Sequence, residues 1–107
     1  MQNRIEVFQM QAEFCKSMAD AKRLMIIHEL RGGEKSVNEL AEVLGLKQSN
    51  TSQHLAVLRR AGVITPRREG NTIFYGLANE RIGQACDMIQ NFIVEQLDAS
   101  HRLIKMI

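Results

Sequence analysis

The chain has 107 residues and a mass of 12.2 kDa, enough for one domain around one core and too few for two. Hydrophobic residues make up 45 % and charged residues 24 %, ordinary globular usage that excludes disordered, collagen-like and low-complexity chains. The formal charge is only +2, yet the 26 residues from Val43 to Arg68 hold five basic side chains (Lys47, Arg59, Arg60, Arg67, Arg68) and no acidic one, against 9 basic and 12 acidic in the other 81.

In chain order, a first helix is predicted from about Glu6 to Met18, where Phe8, Ala12, Cys15 and Met18 recur at helical spacing and share one face. Asp20 can cap the next helix, in which Leu24, Ile27, His28 and Leu30 form the apolar face before Gly32 and Gly33 stop it. Ser36 with Glu39 has the capping-box pattern and opens a short helix with Leu40, Val43 and Leu44 inward, ended by Gly45. At Gln48 a second polar-then-apolar pattern begins, carrying Leu55, Val57 and Leu58 to a stop at Gly62. Two short helices joined by so tight a turn form a helix-turn-helix.

After Gly62 the period changes to two. Val63, Thr65 and Arg67, then Thr72, Phe74 and Gly76, alternate with Ile64, Arg68, Ile73 and Tyr75, and Glu69-Gly70-Asn71 supplies the turn of a β-hairpin. A last helix from about Glu80 places Ile82, Ala85, Ile89, Phe92, Gln96, Ala99, Leu103 and Met106 along one seam, widened by Cys86, Ile93, Leu97 and Ile104. That stripe exceeds what the preceding residues can cover, so a second subunit is expected over part of it.

No apolar stretch approaches the ~18 to 20 residues of a bilayer span, and Glu6 and Glu13 interrupt the place where a signal peptide keeps its apolar core. A cytoplasmic protein without membrane contact is expected. Cys15 and Cys86 then read as thiols, not as a structural disulfide.

Chemistry concentrates at the start of the second helix of the helix-turn-helix, where Gln48, Ser49, Asn50, Thr51, Ser52, Gln53 and His54 form an unbroken polar run. Ser, Asn and Thr are mediocre helix formers, so something other than helix stability favours them. Base edges in the major groove are read from such a helix start by short hydrogen-bonding side chains, and the basic flanks suit phosphates. A solvated helix face is the plain alternative. Against an enzyme stand the absence from the sequence of a Gly-rich phosphate loop, a His-Glu-x-x-His motif and a nucleophile elbow.

Five segments together resemble the ArsR (arsenic-repressor) family of winged-helix transcriptional repressors over roughly residues 12 to 95. They are Met18-Ala19-Asp20-Ala21-Lys22-Arg23-Leu24, Val37-Asn38-Glu39-Leu40-Ala41, Ser49-Asn50-Thr51-Ser52-Gln53-His54-Leu55, Leu58-Arg59-Arg60-Ala61-Gly62-Val63, and Arg67-Arg68-Glu69-Gly70 with Phe74-Tyr75. The resemblance implies a mainly α fold with a small β-hairpin wing: residues 1–107 form one winged helix-turn-helix domain that dimerises through its first and last helices. It further implies a homodimeric repressor on a double-stranded inverted-repeat operator, released by a signal that these residues do not name. Expected DNA contacts are Gln48, Ser49, Asn50, Thr51, Ser52, Gln53 and His54 on the recognition helix, with Arg59 beside it and Arg67, Arg68 and Asn71 on or near the wing. Expected interface residues are Phe8, Ala12, Cys15, Ile82, Ala85, Ile89, Phe92 and Ile93. Lys47 stands where the family commonly has a capping serine; a lysine cannot accept the helix amides, which favours a phosphate contact there. A structural role, resting on the wing or the preceding helix, is the equal alternative for His54. A winged-helix protein-interaction module without DNA binding is the other class of function.

For the signal, the family's Cys-x-Cys position holds Ser36-Val37-Asn38, its zinc positions fall on Asn79, Arg81 and Phe92 and leave Glu95 alone, and its persulfide positions fall near His28 and Val94. No metal site or cofactor is expected on these grounds. Cys15 and Cys86 remain, either as small packing residues or as a redox, persulfide or metalloid pair at the dimer interface. His28 reads as a core histidine.

Overall fold

A computed structural model of the chain describes residues 2–106, with the side chains of Gln2 and Ile104 outside what is described. Its elements are α1 (Gln2–Met18), α2 (Ala21–Leu30), β1 (Lys35–Ser36), α3 (Val37–Leu44), α4 (Gln48–Arg60), β2 (Ile64–Glu69), β3 (Thr72–Leu77) and α5 (Glu80–Met106).

The helix starts are set by local chemistry. Asp20 accepts hydrogen bonds from the amides of Lys22 and Arg23 and so opens α2. At α3, the Ser36 hydroxyl accepts from the Glu39 amide while the Glu39 carboxylate accepts from the Ser36 amide, a complete capping box. Gly45 ends α3 in the left-handed conformation, with φ 65°, where a side chain would be strained. The chain can therefore reverse and start α4 within three residues. Gly70, at φ 61°, is the first of two turn residues between β2 and β3, as a type II′ hairpin turn requires.

The sheet is antiparallel and has three strands in the order β1-β3-β2. Sequence periodicity predicts only the hairpin; β1 has two residues, too few to show a period, and it joins through Lys35 opposite Tyr75 and Ser36 opposite Phe74. A single core fills the space between α2, α3, α4 and the strands: Ile26, Ile27, Leu30, Leu40, Leu55, Leu58, Val63 and Ile64 are buried together.

Two helices lie largely outside this core. Of the expected interface residues on α1, Phe8, Ala12 and Cys15 are exposed. On α5, Ile82 and Cys86 pack against the protomer's own core, whereas Ala85, Ile89, Phe92 and Ile93 face outward. Ile82, expected at the interface, is thus partly covered within the protomer itself. Early in α5, buried Gly83 lets the Arg31 stem cross the helix, since a Cβ there would lie 2.6 Å from Arg31 Cδ and Nε. Arg31 ends in an ion pair with Asp87, which ties α2 to α5.

His28 is also corrected. The buried face of α2 runs through Ile26, Ile27 and Leu30, which leaves the His28 side chain 64 % exposed, its Nδ1 3.9 Å from Asp87 Oδ1.

Candidate nucleic-acid interface

The helical period sorts the polar run at the start of α4 into two faces. Thr51, Leu55 and Leu58 point inward and anchor the helix in the core. Gln48, Ser49, Asn50, Ser52 and Gln53 are exposed, with Ser49 and Gln53 opposite the anchored face and Asn50 and Ser52 flanking it.

Thr51 is removed from the set of expected DNA contacts. It has no exposed surface, and its hydroxyl donates to the Lys47 carbonyl at 2.9 Å, alongside the Thr51 amide at 3.0 Å. A hydroxyl that bonds the preceding turn of its own helix can be buried at little cost. Lys47 occupies the N-cap with no side-chain hydrogen bond to the helix, so the first amides of α4 stay unpaired by any cap and Lys47 itself is exposed beside them.

His54 sits half-buried at the junction of three elements. Arg23 Nη1 lies 3.4 Å from its Nδ1, a contact in which the guanidinium can only donate. Asp20 Oδ2 is 3.9 Å from the same nitrogen, and Arg23 Nε donates to the Ser17 carbonyl at the end of α1 at 2.6 Å. The Asp20 carboxyl is held below its usual range, chiefly by the Arg23 amide, against the effect of its own desolvation. His54 therefore braces α4 against the α1–α2 corner through one edge, and only Nε2 is left for DNA. The Arg23 part of this brace is invisible to residue spacing, because its partners lie on two other helices.

The two cations of β2 differ. Arg67 Nε donates to Glu34 Oε1 at 2.7 Å and Nη1 to Glu69 Oε2 at 3.2 Å, with the guanidinium carbon 5.2 Å from the Phe74 ring centre. These carboxylates push its pKa further up. Arg68, next along the strand, bonds the Gly70 carbonyl at 3.3 Å, and Asn71 is exposed at the turn. Arg59 is exposed at the far end of α4.

Cys15 is exposed, and Cys86 is half-buried. Burial raises the Cys86 thiol pKa, nearby Cys15 raises it further, and Arg31 partly offsets both. The shift disfavours the reactive thiolate. Among the described residues, no group of three or more His, Cys, Asp or Glu side chains is placed to hold a metal ion, and no helix is long and apolar enough to cross a membrane.

Comparison with known proteins bears on this geometry. Residues 20–65 match the family described as bacterial regulatory protein, arsR family. The HTH-type transcriptional regulator KmtR of Mycobacterium tuberculosis is 46 % identical over 80 residues, which are 75 % of this chain and 56 % of KmtR; the chain thus spans little more than half of that relative. The transcriptional activator HlyU of Vibrio cholerae is 42 % identical over 74 residues, 69 % of this chain and 68 % of HlyU. The solution structure of the homodimeric winged helix-turn-helix DNA-binding domain Mb0332 from Mycobacterium bovis superposes with a TM-score of 0.82 at 27 % identity, covering 91 % of this chain and 90 % of that one.

Proposed function

The chain belongs to the arsR family of bacterial regulatory proteins, and on that footing we propose that it is a cytoplasmic, homodimeric repressor that reads an inverted-repeat operator with its two α4 helices. Residues 1–107 act as one winged helix-turn-helix domain with α1 and α5 as dimerisation helices. The observation that carries the proposal is the division of α4 into an anchored face and a polar face. Ser49, Ser52 and Gln53 present donors and acceptors outward from a helix fixed by Leu55 and Leu58, as base readout demands. Lys47, with the uncapped amides behind it, and the exposed Arg59 and Arg68 supply phosphate contacts that set the register.

Surface area supports the dimer. The protomer exposes 8095 Å², whereas size scaling gives about 6,100 Å² for a compact monomer of this mass. Much of the excess lies on α1 and on α5 beyond Cys86, where Ile89, Phe92, Ile93 and Leu97 are exposed and want a cover. Two-fold symmetry then places the α4 helices about 34 to 36 Å apart, one turn of B-DNA.

The test is a fluorescence titration of a duplex that the protein itself selects from a random-sequence pool, at two salt concentrations. Tight, steeply salt-dependent binding to a duplex with dyad symmetry is expected. Gln53→Ala removes a contact from each half-site and is expected to weaken binding about a hundred-fold, in line with ~1 to 3 kcal/mol for each base contact, with an unchanged salt slope. Absence of sequence preference would instead favour an interaction module. A reporter under the selected site should fall in output when the protein is present; a rise would make it an activator.

A thiol-based redox or metalloid switch through Cys15 and Cys86 is the second reading, favoured by the mutual influence of the two thiols. The raised pKa of Cys86 speaks for packing instead. Diamide treatment is accordingly expected to leave operator affinity unchanged in the wild type and in a Cys15→Ser, Cys86→Ser double variant. Weakening by diamide in the wild type alone would establish the switch.

A further inference from the structure

We infer that Glu34 and Arg67 form a strut that sets the angle of the wing against the helix-turn-helix, so that Arg67 is a positioning residue and Arg68 is the wing's phosphate-contacting cation. The inference rests on the DNA-binding reading above and refines its wing.

Glu34 lies immediately before β1, and β1 leads without a break into α3. Its carboxylate reaches across β3 to Arg67 on β2, at 2.7 Å. Gly76 makes room for that crossing: a Cβ on Gly76 would lie 3.3 Å from Glu34 Cγ and 3.7 Å from Oε2, so a larger residue would crowd the carboxylate's path. The guanidinium is then held on three sides, by Glu34, by Glu69 and by the face of Phe74, the last being its register partner on β3. One end of the strut is thus fixed to the segment that caps α3, the other to the strand that carries the wing tip.

The charge pattern separates the two arginines. Arg67 sits between two carboxylates, and a phosphate approaching it meets a local excess of negative charge. Arg68 projects to the opposite face of the strand and, among the described residues, pairs with no carboxylate. Both ends of the Glu34–Arg67 pair are substantially exposed, and exposed pairs contribute little to folding stability. The pair therefore governs orientation, and its loss should be felt in DNA binding without loss of the fold.

Two hypotheses for Arg67 predict opposite signs for one variant. If Arg67 contacts phosphate, Glu34→Gln frees it from a competitor and tightens binding. If Arg67 is a strut, Glu34→Gln loosens the wing and weakens binding. With the selected duplex as probe, Glu34→Gln and Arg67→Ala are each expected to weaken binding several-fold with the slope of log affinity on log salt unchanged. Arg68→Ala should reduce that slope by about two per dimer, one phosphate from each protomer. The reversed pair Glu34→Arg with Arg67→Glu should recover affinity, which no lost phosphate contact could do. Tighter binding by Glu34→Gln, or a slope reduced by Arg67→Ala as by Arg68→Ala, overturns the inference. Amide exchange in the free protein gives a readout independent of DNA: Glu34→Gln should speed exchange in residues 64–77 several-fold while helical content stays unchanged, and equal exchange rates overturn it too. If the wild type selects no duplex at all, the DNA-binding reading fails, and exchange alone then decides whether the strut exists.

Discussion

Replacing Phe92 with glutamate is expected to turn the protein into a folded monomer and to lower its affinity for the selected duplex about a thousand-fold or more, towards the non-specific level. Phe92 is 61 % exposed in the protomer and is not a member of the buried cluster. In a monomeric protein such a change would alter stability by no more than about 0.5 kcal/mol. In a two-fold dimer sealed by α5, it places one uncompensated carboxylate from each protomer in an apolar seam with Ile89 and Ile93. Dissociation relieves that cost. Light scattering during gel filtration reads the mass, circular dichroism checks the fold, and the titration reads the affinity. A variant that stays dimeric with wild-type affinity would place the interface elsewhere than on α5.

How far residues alone determine this molecule depends on how local the deciding interaction is. Asp20 and the Ser36–Glu39 box accept from amides within three residues of themselves, and Gly45 donates its own amide to the carbonyls of Ala41 and Glu42 in the turn just before it, so the starts of α2 and α3 and the tight turn before α4 are all legible. Element type in the hairpin follows from the change of period after Gly62. Residue character cannot show which polar residue turns inward, since Thr51 and Ser52 are alike; the spacing of 4 and 3 to Leu55 and Leu58 selects Thr51, and the hydrogen bond to the Lys47 carbonyl lets its hydroxyl be buried there. Neither character nor spacing can show tertiary partners. Arg67 looks like Arg68 until Glu34, 33 positions away, is brought against it. His28 fits an apolar stripe by count, yet the core is entered by Ile26 and Ile27 instead, because α2 packs against α3 and α4 as well as α5.

The recognition helix allows the two kinds of effect to be separated, and the larger one on folding lies at Leu58. Its side chain is fully buried in the cluster with Ile26, Ile27, Leu55, Val63 and Ile64, and its carbonyl accepts from the Val63 amide at 2.9 Å, at the turn from α4 into β2. Leu58→Ala removes apolar contacts and leaves a cavity that the surrounding helices and strand can only partly close. The expected cost is about 2 to 5 kcal/mol, a large share of the ~5 to 15 kcal/mol that holds a domain together. In a chain of this size that corresponds to a fall in Tm of about 10 °C or more. Urea unfolding at a fixed protomer concentration measures it, since dimerisation makes stability concentration-dependent. Gln53→Ala, five residues earlier on the opposite face, should leave the unfolding curve within about 0.5 kcal/mol of wild type while weakening the complex with DNA. If Leu58→Ala costs less than about 1 kcal/mol, α4 is not anchored by that face, and the outward presentation of Ser49, Ser52 and Gln53 loses its physical basis.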